Sequence, residues 1–234
     1  MKILQKGFNY SQDGPGNRLV YHLQGCNFAC KWCSNADSIS SENPNAKDYT
    51  VDEVYDEIMR SRMMFFDGGG VTFTGGEVCM QSDELISLLK KLKENGIHTA
   101  IETNASYYSL REAAEYIDYL ITDFKHYDDD LHRKWTGSSN KSVKENIEYF
   151  LANGRQIHIR IPVIHGVNDT PDGFAEYFRR FDTSNAVFEF LSYHEYGKDK
   201  WKGNYEIENG FVPTEIIKDF TEKFNSCGMK TVVT

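Results

Sequence analysis

The chain has little of what several protein classes require. Across 234 residues no apolar stretch approaches the length that crosses a bilayer, and Met1 to Tyr10 has no apolar run beyond Ile3-Leu4. Neither a secretory segment nor a membrane helix is expected, and a reducing cytoplasm is the expected compartment. Prolines number 5, and no Pro-, Gly- or Ser-rich linker divides the chain, so a single domain spanning 1–234 is expected. Basic residues are also short: 26 Lys and Arg against 35 Asp and Glu give a net charge of −9, which argues against nucleic-acid or anionic-membrane adhesion. The 5 cysteines are an odd number in a chain too long to need disulfide staples.

What is present is an ordinary globular composition, 40% hydrophobic and 26% charged. Short apolar runs at 18–23, 70–73, 98–101, 119–122, 156–163 and 186–191 read as strands. Segments of helical period at 51–63, 82–95, 110–116, 142–152, 172–181 and 213–226 lie between or after them. A last strand is expected near 229–234. The β-then-α order, repeated six times, is that of a parallel α/β fold, either an incompletely closed barrel or an open doubly wound sheet. Thr50 to Glu53 has capping-box spacing, and Gly96 and Gly154 sit where left-handed C-caps belong.

In either architecture chemistry gathers after the carboxyl ends of the strands. The residues there are Cys26, Cys30 and Cys33; Thr74-Gly75-Gly76-Glu77; Glu102-Thr103-Asn104; Asp123 and Lys125; His165-Gly166; and His194-Glu195. Taken singly, each is most simply a surface residue or a cap. Their gathering at one rim favours function. Asp128-Asp129-Asp130 reads as a helix cap, and Gly68-Gly69-Gly70 as a turn before a strand.

Cys26, Cys30 and Cys33 fall within eight residues, and soft thiolates select zinc, copper(I) or an iron–sulfur cluster. A structural zinc site wants a fourth ligand, and no second Cys-x-x-Cys supplies one. His22 lies in an expected strand. A 4Fe-4S cluster held by three cysteines keeps one iron open to a chelating small molecule. Cys79 and Cys227 are expected to be small apolar residues.

The pattern Cys26-x3-Cys30-x-Trp32-Cys33, followed by Thr74-Gly-Gly-Glu77, resembles the radical S-adenosylmethionine (SAM) superfamily. Within it the chain is most similar to the glycyl-radical enzyme activating enzymes of the pyruvate formate-lyase type. Asp13-Gly-Pro-Gly16, Glu102-Thr-Asn104, Asp123-Phe-Lys125, Gly137-Ser-Ser-Asn140, 159–166 and 193–198 carry the similarity nearly end to end.

The resemblance implies a partial (β/α)6 barrel, a 4Fe-4S cluster on Cys26, Cys30 and Cys33, and SAM on the open iron. It implies reductive cleavage to methionine and a 5′-deoxyadenosyl radical, which takes a hydrogen atom from a glycine of a partner enzyme. Gly75, Gly76 and Glu77 are expected at the methionyl amino group, Asp123 and Lys125 at the cofactor's polar end, and Trp32, Ser34 and His194 around the nucleoside. Glu102, Thr103 and Asp123 are expected at a monovalent cation, and Asp13, Gly14, Pro15 and Gly16 at the partner loop. Two positions depart from the family pattern: Glu102 replaces Asp, and Ser34 replaces His. A flavodoxin- or ferredoxin-like donor, an anaerobic setting and a monomer also follow. Two rivals are a radical SAM enzyme acting on a small molecule, and a non-catalytic metal-binding or electron-transfer domain.

Overall fold

The computed structural model describes residues 1–203 and 205–232, in two compact units. The first comprises Met1–Asn27, Asp37–Thr103 and Tyr107–Ile121. Its strands are β1 (Lys2–Tyr10), β2 (Asn17–Leu23), β3 (Lys47–Asp48), β4 (Gly70–Gly75) and β5 (Thr99–Thr103), side by side in the order β3-β1-β2-β4-β5. The pairs β2–β4 and β4–β5 are parallel, in registers that set Arg18 beside Gly70 and Val71 beside Thr99; β1 is antiparallel to both β2 and β3. Parallel strands covered on both faces read as continuous apolar runs, and β2 and β4 are buried at nearly every residue.

Helices α1 (Val51–Ser61), α2 (Ser82–Glu94) and α3 (Ser109–Ala113) complete this unit. The capping box is present at α1: Glu53 N–H donates to Thr50 Oγ1, and Thr50 N–H donates back to the Glu53 carboxylate. Gly96 follows α2 in the left-handed region, φ +69°. Helix α3 is shorter than the expected 110–116 because its last turn tightens to a 3-10 turn over Ala114–Tyr116.

Strand β6 (Tyr119–Asp123) begins in the first unit and ends in the second. The second unit takes in Phe28–Ala36, Asn104–Ser106 and the chain from Thr122 onward. It holds α4 (Asp129–Thr136), α5 (Lys141–Ala152), β7 (Ile157–Val163), α6 (Asp172–Phe178), β8 (Ala186–Ser192), α7 (Thr214–Ser226) and β9 (Thr231–Val232). Strands β7, β8 and β9 pair in parallel, and the β7–β8 register sets Arg160 beside Glu189, whose carboxylate accepts from Arg160 Nε at 2.7 Å. Of the strand expected at 229–234, residues 233 and 234 lie outside the described residues.

The core of this unit is aromatic. Phe178 meets Phe124 at 4.9 Å and Phe188 at 4.8 Å between ring centroids, and Phe188 meets Phe224 at 5.0 Å, all four rings fully buried. Phe178→Ala removes the ring shared by two of these contacts. It is expected to destabilise the protein by about 3–5 kcal/mol, read as a lower denaturant midpoint at unchanged slope.

Three elements depart from the sequence expectation. Strand β1 and the short β3 make the sheet mixed rather than wholly parallel, and α4 adds a helix ahead of α5. Asp128 caps α4 by accepting from Leu131 N at 2.9 Å, as its run of carboxylates implied. The neighbouring Asp129 does more. It accepts from Ser139 Oγ at 2.6 Å and Asn140 N at 2.8 Å, tying α4 to the start of α5. The Ser139 hydroxyl first, then Arg133, holds its carboxyl down to about 2. Gly68 turns at φ +77° directly before β4, as expected of that glycine run. Cys79 is buried, but Cys227 is exposed at the end of α7, so only the first behaves as an apolar filler.

Candidate active site

In the first unit, β2 and β4 end side by side and their exits are laced together. Gly76 N–H donates to Leu23 O at 2.9 Å and Glu77 N–H to Gly25 O at 2.8 Å; Cys26 N–H donates to Ile39 O at 3.1 Å. The approach is too close for side chains. A Cβ on Gly75, at φ +113°, would stand 2.5 Å from Leu23 N, and one on Gly76 would stand 2.0 Å from Gly25 O. Because the Gly76 and Glu77 N–H groups are spent on Leu23 O and Gly25 O, what these two residues can offer a ligand is oxygen. That suits a cationic ammonium, which only donates.

Glu77 is fully buried. Its Oε1 accepts from Thr103 Oγ1 at 2.7 Å and from Cys79 N at 2.9 Å, which joins the ends of β4 and β5. Burial first, then the neighbouring Glu77 charge, pushes the Cys79 thiol well above its ordinary range, so this cysteine stays a thiol. Glu102 is half-buried and accepts through Oε2 from Thr74 Oγ1 at 2.8 Å.

In the second unit the loop Phe28–Ala36 is fastened from two directions. Ala29 N–H donates to Thr136 O at 2.8 Å and Lys31 N–H to Trp135 O at 3.0 Å, so the last carbonyls of α4 receive the loop as an added strand of hydrogen bonds. From the other direction, Trp201 Nε1–H donates to Cys33 O at 3.0 Å and Lys200 Nζ to Asn35 Oδ1 at 3.2 Å. Gly197 lies so near that a Cβ there would stand 2.2 Å from Ser34 O. Cys30 and Trp32 are buried and Cys33 and Ser34 half-buried; Cys26, on the first unit's side, is half-buried.

Lys125 is buried, with Nζ 2.8 Å from Asp123 Oδ2. Burial alone would lower its pKa, but Asp123, then Cys30 and Cys33, raise it, so the ammonium is firmly charged. Burial pushes the Cys33 thiol up, opposed by the Asn35 N–H and by Lys125. A fixed cation beside two thiols favours the thiolate that metal binding demands. His194 is exposed, its pKa lowered by partial burial, and its ring stacks on Tyr196 at 4.4 Å. His165 is exposed and paired with Asp169 at 2.8 Å, an ordinary surface arrangement.

In the second unit, the Cys30 and Cys33 thiols and the buried Lys125 ammonium suit an iron–sulfur cluster in donor chemistry; in the first, the Cys26 thiol suits the same cluster and the oxygen-bearing glycine turn suits the ammonium of SAM. Among the described residues no group of three His, Cys, Asp or Glu side chains stands in ligating geometry. The cluster assignment therefore rests on residue type, spacing and family. Sequence reasoning missed the fastening of the cysteine loop by Trp135, Thr136, Gly197, Lys200 and Trp201. A signal was present: all 3 tryptophans of the chain, Trp32, Trp135 and Trp201, belong to this loop or its supports.

Comparison with known proteins agrees. Residues 20–178 match the radical SAM superfamily. The chain is 33% identical over 219 residues to the pyruvate formate-lyase-activating enzyme of Streptococcus mutans, covering 87% of this chain and 82% of that one. It is 34% identical over 223 residues to that of Staphylococcus epidermidis, covering 88% of each. Among solved structures, a domain of pyruvate-formate lyase-activating enzyme from Bacteroides vulgatus aligns with a TM-score of 0.61 at 26% identity, over 71% of this chain and 99% of that one. Streptococcus suis SuiB bound to S-adenosylmethionine shares the fold, with a TM-score of 0.69 at 20% identity, over 92% of this chain and 49% of that one.

The chain thus belongs to the radical SAM superfamily and, within it, to the family of the pyruvate formate-lyase-activating enzymes. It is a radical SAM enzyme of α/β fold, and that family uses SAM and a 4Fe-4S cluster. No helix among the described residues is long and apolar enough to cross a membrane.

Proposed function

We propose that the chain is a cytoplasmic, monomeric activase that installs a glycyl radical on pyruvate formate-lyase or a relative of it. A 4Fe-4S cluster held by Cys26, Cys30 and Cys33 and reduced by a flavodoxin- or ferredoxin-like donor would supply the electron that cleaves SAM to methionine and a 5′-deoxyadenosyl radical, and hydrogen-atom transfer from a glycine Cα would then give 5′-deoxyadenosine and a glycyl radical.

The chain's own residues bind and orient. Cys26, Cys30 and Cys33 would hold the cluster. The oxygens of the Gly75-Gly76-Glu77 turn accept the methionyl ammonium, and Lys125, kept charged by Asp123, meets the methionyl carboxylate. Trp32, Ser34 and His194 line the nucleoside. Glu102, Thr103 and Asp123 hold a monovalent cation, with Glu102 reaching one methylene further than the family's Asp. Asp13 to Gly16 meets the partner's glycine loop.

The observation that carries this reading is the lacing of the Gly75-Gly76-Glu77 turn onto the backbone that leads into Cys26. The small-molecule rival shares this turn and the cysteines but is not expected to carry Asp13-Gly-Pro-Gly16. The test is anaerobic reconstitution and reduction, addition of SAM, and chromatography for 5′-deoxyadenosine. Product is expected without any partner present. None formed from a fully loaded cluster would overturn the enzymatic reading.

A further inference from the structure

The turn Gly197–Trp201 closes on three consecutive residues of the cysteine loop. Its backbone is tight: Lys198 N–H donates to Glu195 O at 3.0 Å, Lys200 N–H to Gly197 O at 3.1 Å and Trp201 N–H to Lys198 O at 3.2 Å. From this turn Trp201 Nε1–H donates to Cys33 O at 3.0 Å, and Gly197 lies where a Cβ would stand 2.2 Å from Ser34 O. Lys200 Nζ donates to Asn35 Oδ1 at 3.2 Å. Cys33, Ser34 and Asn35 are each held by a different group of the same turn.

What is held in place includes a hydrogen bond to sulfur. Asn35 N–H donates to Cys33 Sγ at 3.4 Å. A donor aimed at a ligating sulfur stabilises the extra negative charge of a reduced iron–sulfur cluster, and so raises its reduction potential. Lys200 brings a full charge to the same place. Burial pushes the Cys33 thiol up, while the Asn35 N–H, then Lys125 and Lys200, oppose it, so the Lys200 ammonium is felt at that sulfur. Lys200 is half-buried, and its ammonium meets the neutral Asn35 amide and no carboxylate among the described residues. Two other lysines close by in sequence are neutralised. The Lys198 ammonium sits on Glu195 Oε2 at 2.9 Å, and Lys31, inside the loop, is paired with Glu206.

We infer that Lys200 is a positioning residue that sets the reduction potential of the cluster, by orienting Asn35 against Cys33 and by holding an uncancelled positive charge beside that ligand. The role rests on the reading of Cys26, Cys30 and Cys33 as cluster ligands. Reduction adds one negative charge to the cluster, and a cation nearby favours that state. For one charge near a protein surface the effect on the ratio of reduced to oxidised cluster is about tenfold. A weaker reductant then suffices to load the electron.

The test is a redox titration of the reconstituted full chain without SAM, with the reduced cluster read by electron paramagnetic resonance at poised potentials and iron measured alongside. Lys200→Gln removes the charge, and Lys200→Arg keeps it. Lys200→Gln is expected to lower the ratio of reduced to oxidised cluster about tenfold at a fixed potential, a midpoint lower by about 59 mV for one electron. Lys200→Arg is expected to restore the midpoint. Lys198→Gln loses the same formal charge from a cancelled pair, and is expected to titrate with the wild type. The midpoint does not depend on how much of the protein is loaded, so a variant that takes up less iron is still read. An unchanged midpoint in Lys200→Gln would overturn the proposal. So would an equal shift in Lys198→Gln, which would tie the potential to net charge, or a Lys200→Arg that fails to restore it, which would tie it to side-chain shape. A wild-type chain that takes up no reducible cluster overturns the cluster reading and this role with it. That outcome is distinct from a loaded wild type and a Lys200→Gln that titrates at the same potential.

Discussion

Replacing Cys30 with alanine is expected to abolish both the iron–sulfur chromophore and the formation of 5′-deoxyadenosine. Each thiolate would hold one iron of a 4Fe-4S cluster, and with the fourth iron left open to SAM three cysteines leave none to spare. Cys30 is the buried one of the three, and its charge and that of Cys33 help to hold the Lys125 ammonium protonated. Neither of the other cysteines can substitute. Cys79 is a buried thiol kept protonated beside Glu77, and Cys227 lies exposed at the end of α7. Cys227→Ala should therefore leave iron content and cleavage at wild-type levels. Iron analysis and absorbance of the reconstituted proteins check both. A Cys30→Ala protein that retained a full cluster would place the metal elsewhere.

A second large effect is expected from the smallest substitution. Gly76→Ala would set a methyl group 2.0 Å from Gly25 O, and the atoms it meets are backbone, which cannot rotate away. Either β4 or the exit of β2 must shift, at an overpacking cost of about 1–3 kcal/mol. The catalytic cost is larger. A displacement near 1 Å at a positioning element is worth on the order of 100-fold in rate, and the turn displaced is the one assigned to the methionyl ammonium. Loss of 5′-deoxyadenosine formation with iron retained is the expected signature. Wild-type cleavage in Gly76→Ala would show that the turn has no part in binding.

How much of this was legible in the sequence depends on whether the signal was local. The parallel strands declared themselves as apolar runs because both of their faces are covered, and Thr50 with Glu53 wrote the start of α1 within four residues. Strand β1 did not, because Ile3 is its one buried residue and residues 5–8 are exposed; backbone pairing with β2 holds it, and pairing leaves no mark in side-chain pattern. Helix α4 escaped for a related reason. Its buried residues are His132 and Thr136, so it carries no apolar stripe.

The candidate site divides the same way. Cys26, Cys30, Cys33 and the Gly75-Gly76-Glu77 turn sit in short motifs whose spacing is itself the chemistry. The supports are non-local. Trp201 reaches Cys33 across 168 residues, and Lys200 reaches Asn35 across 165.

The central claim is that the radical made on this chain takes its hydrogen from a glycine of another protein. The most direct measurement is isotopic. Pyruvate formate-lyase prepared with α-deuterated glycine is incubated anaerobically with the reduced, SAM-loaded chain, and 5′-deoxyadenosine is analysed by mass spectrometry beside the electron paramagnetic resonance spectrum of the partner. The expected result is deuterium in 5′-deoxyadenosine, rising in step with a glycyl-radical signal whose doublet splitting has collapsed. Unlabelled 5′-deoxyadenosine and a silent partner would contradict the account.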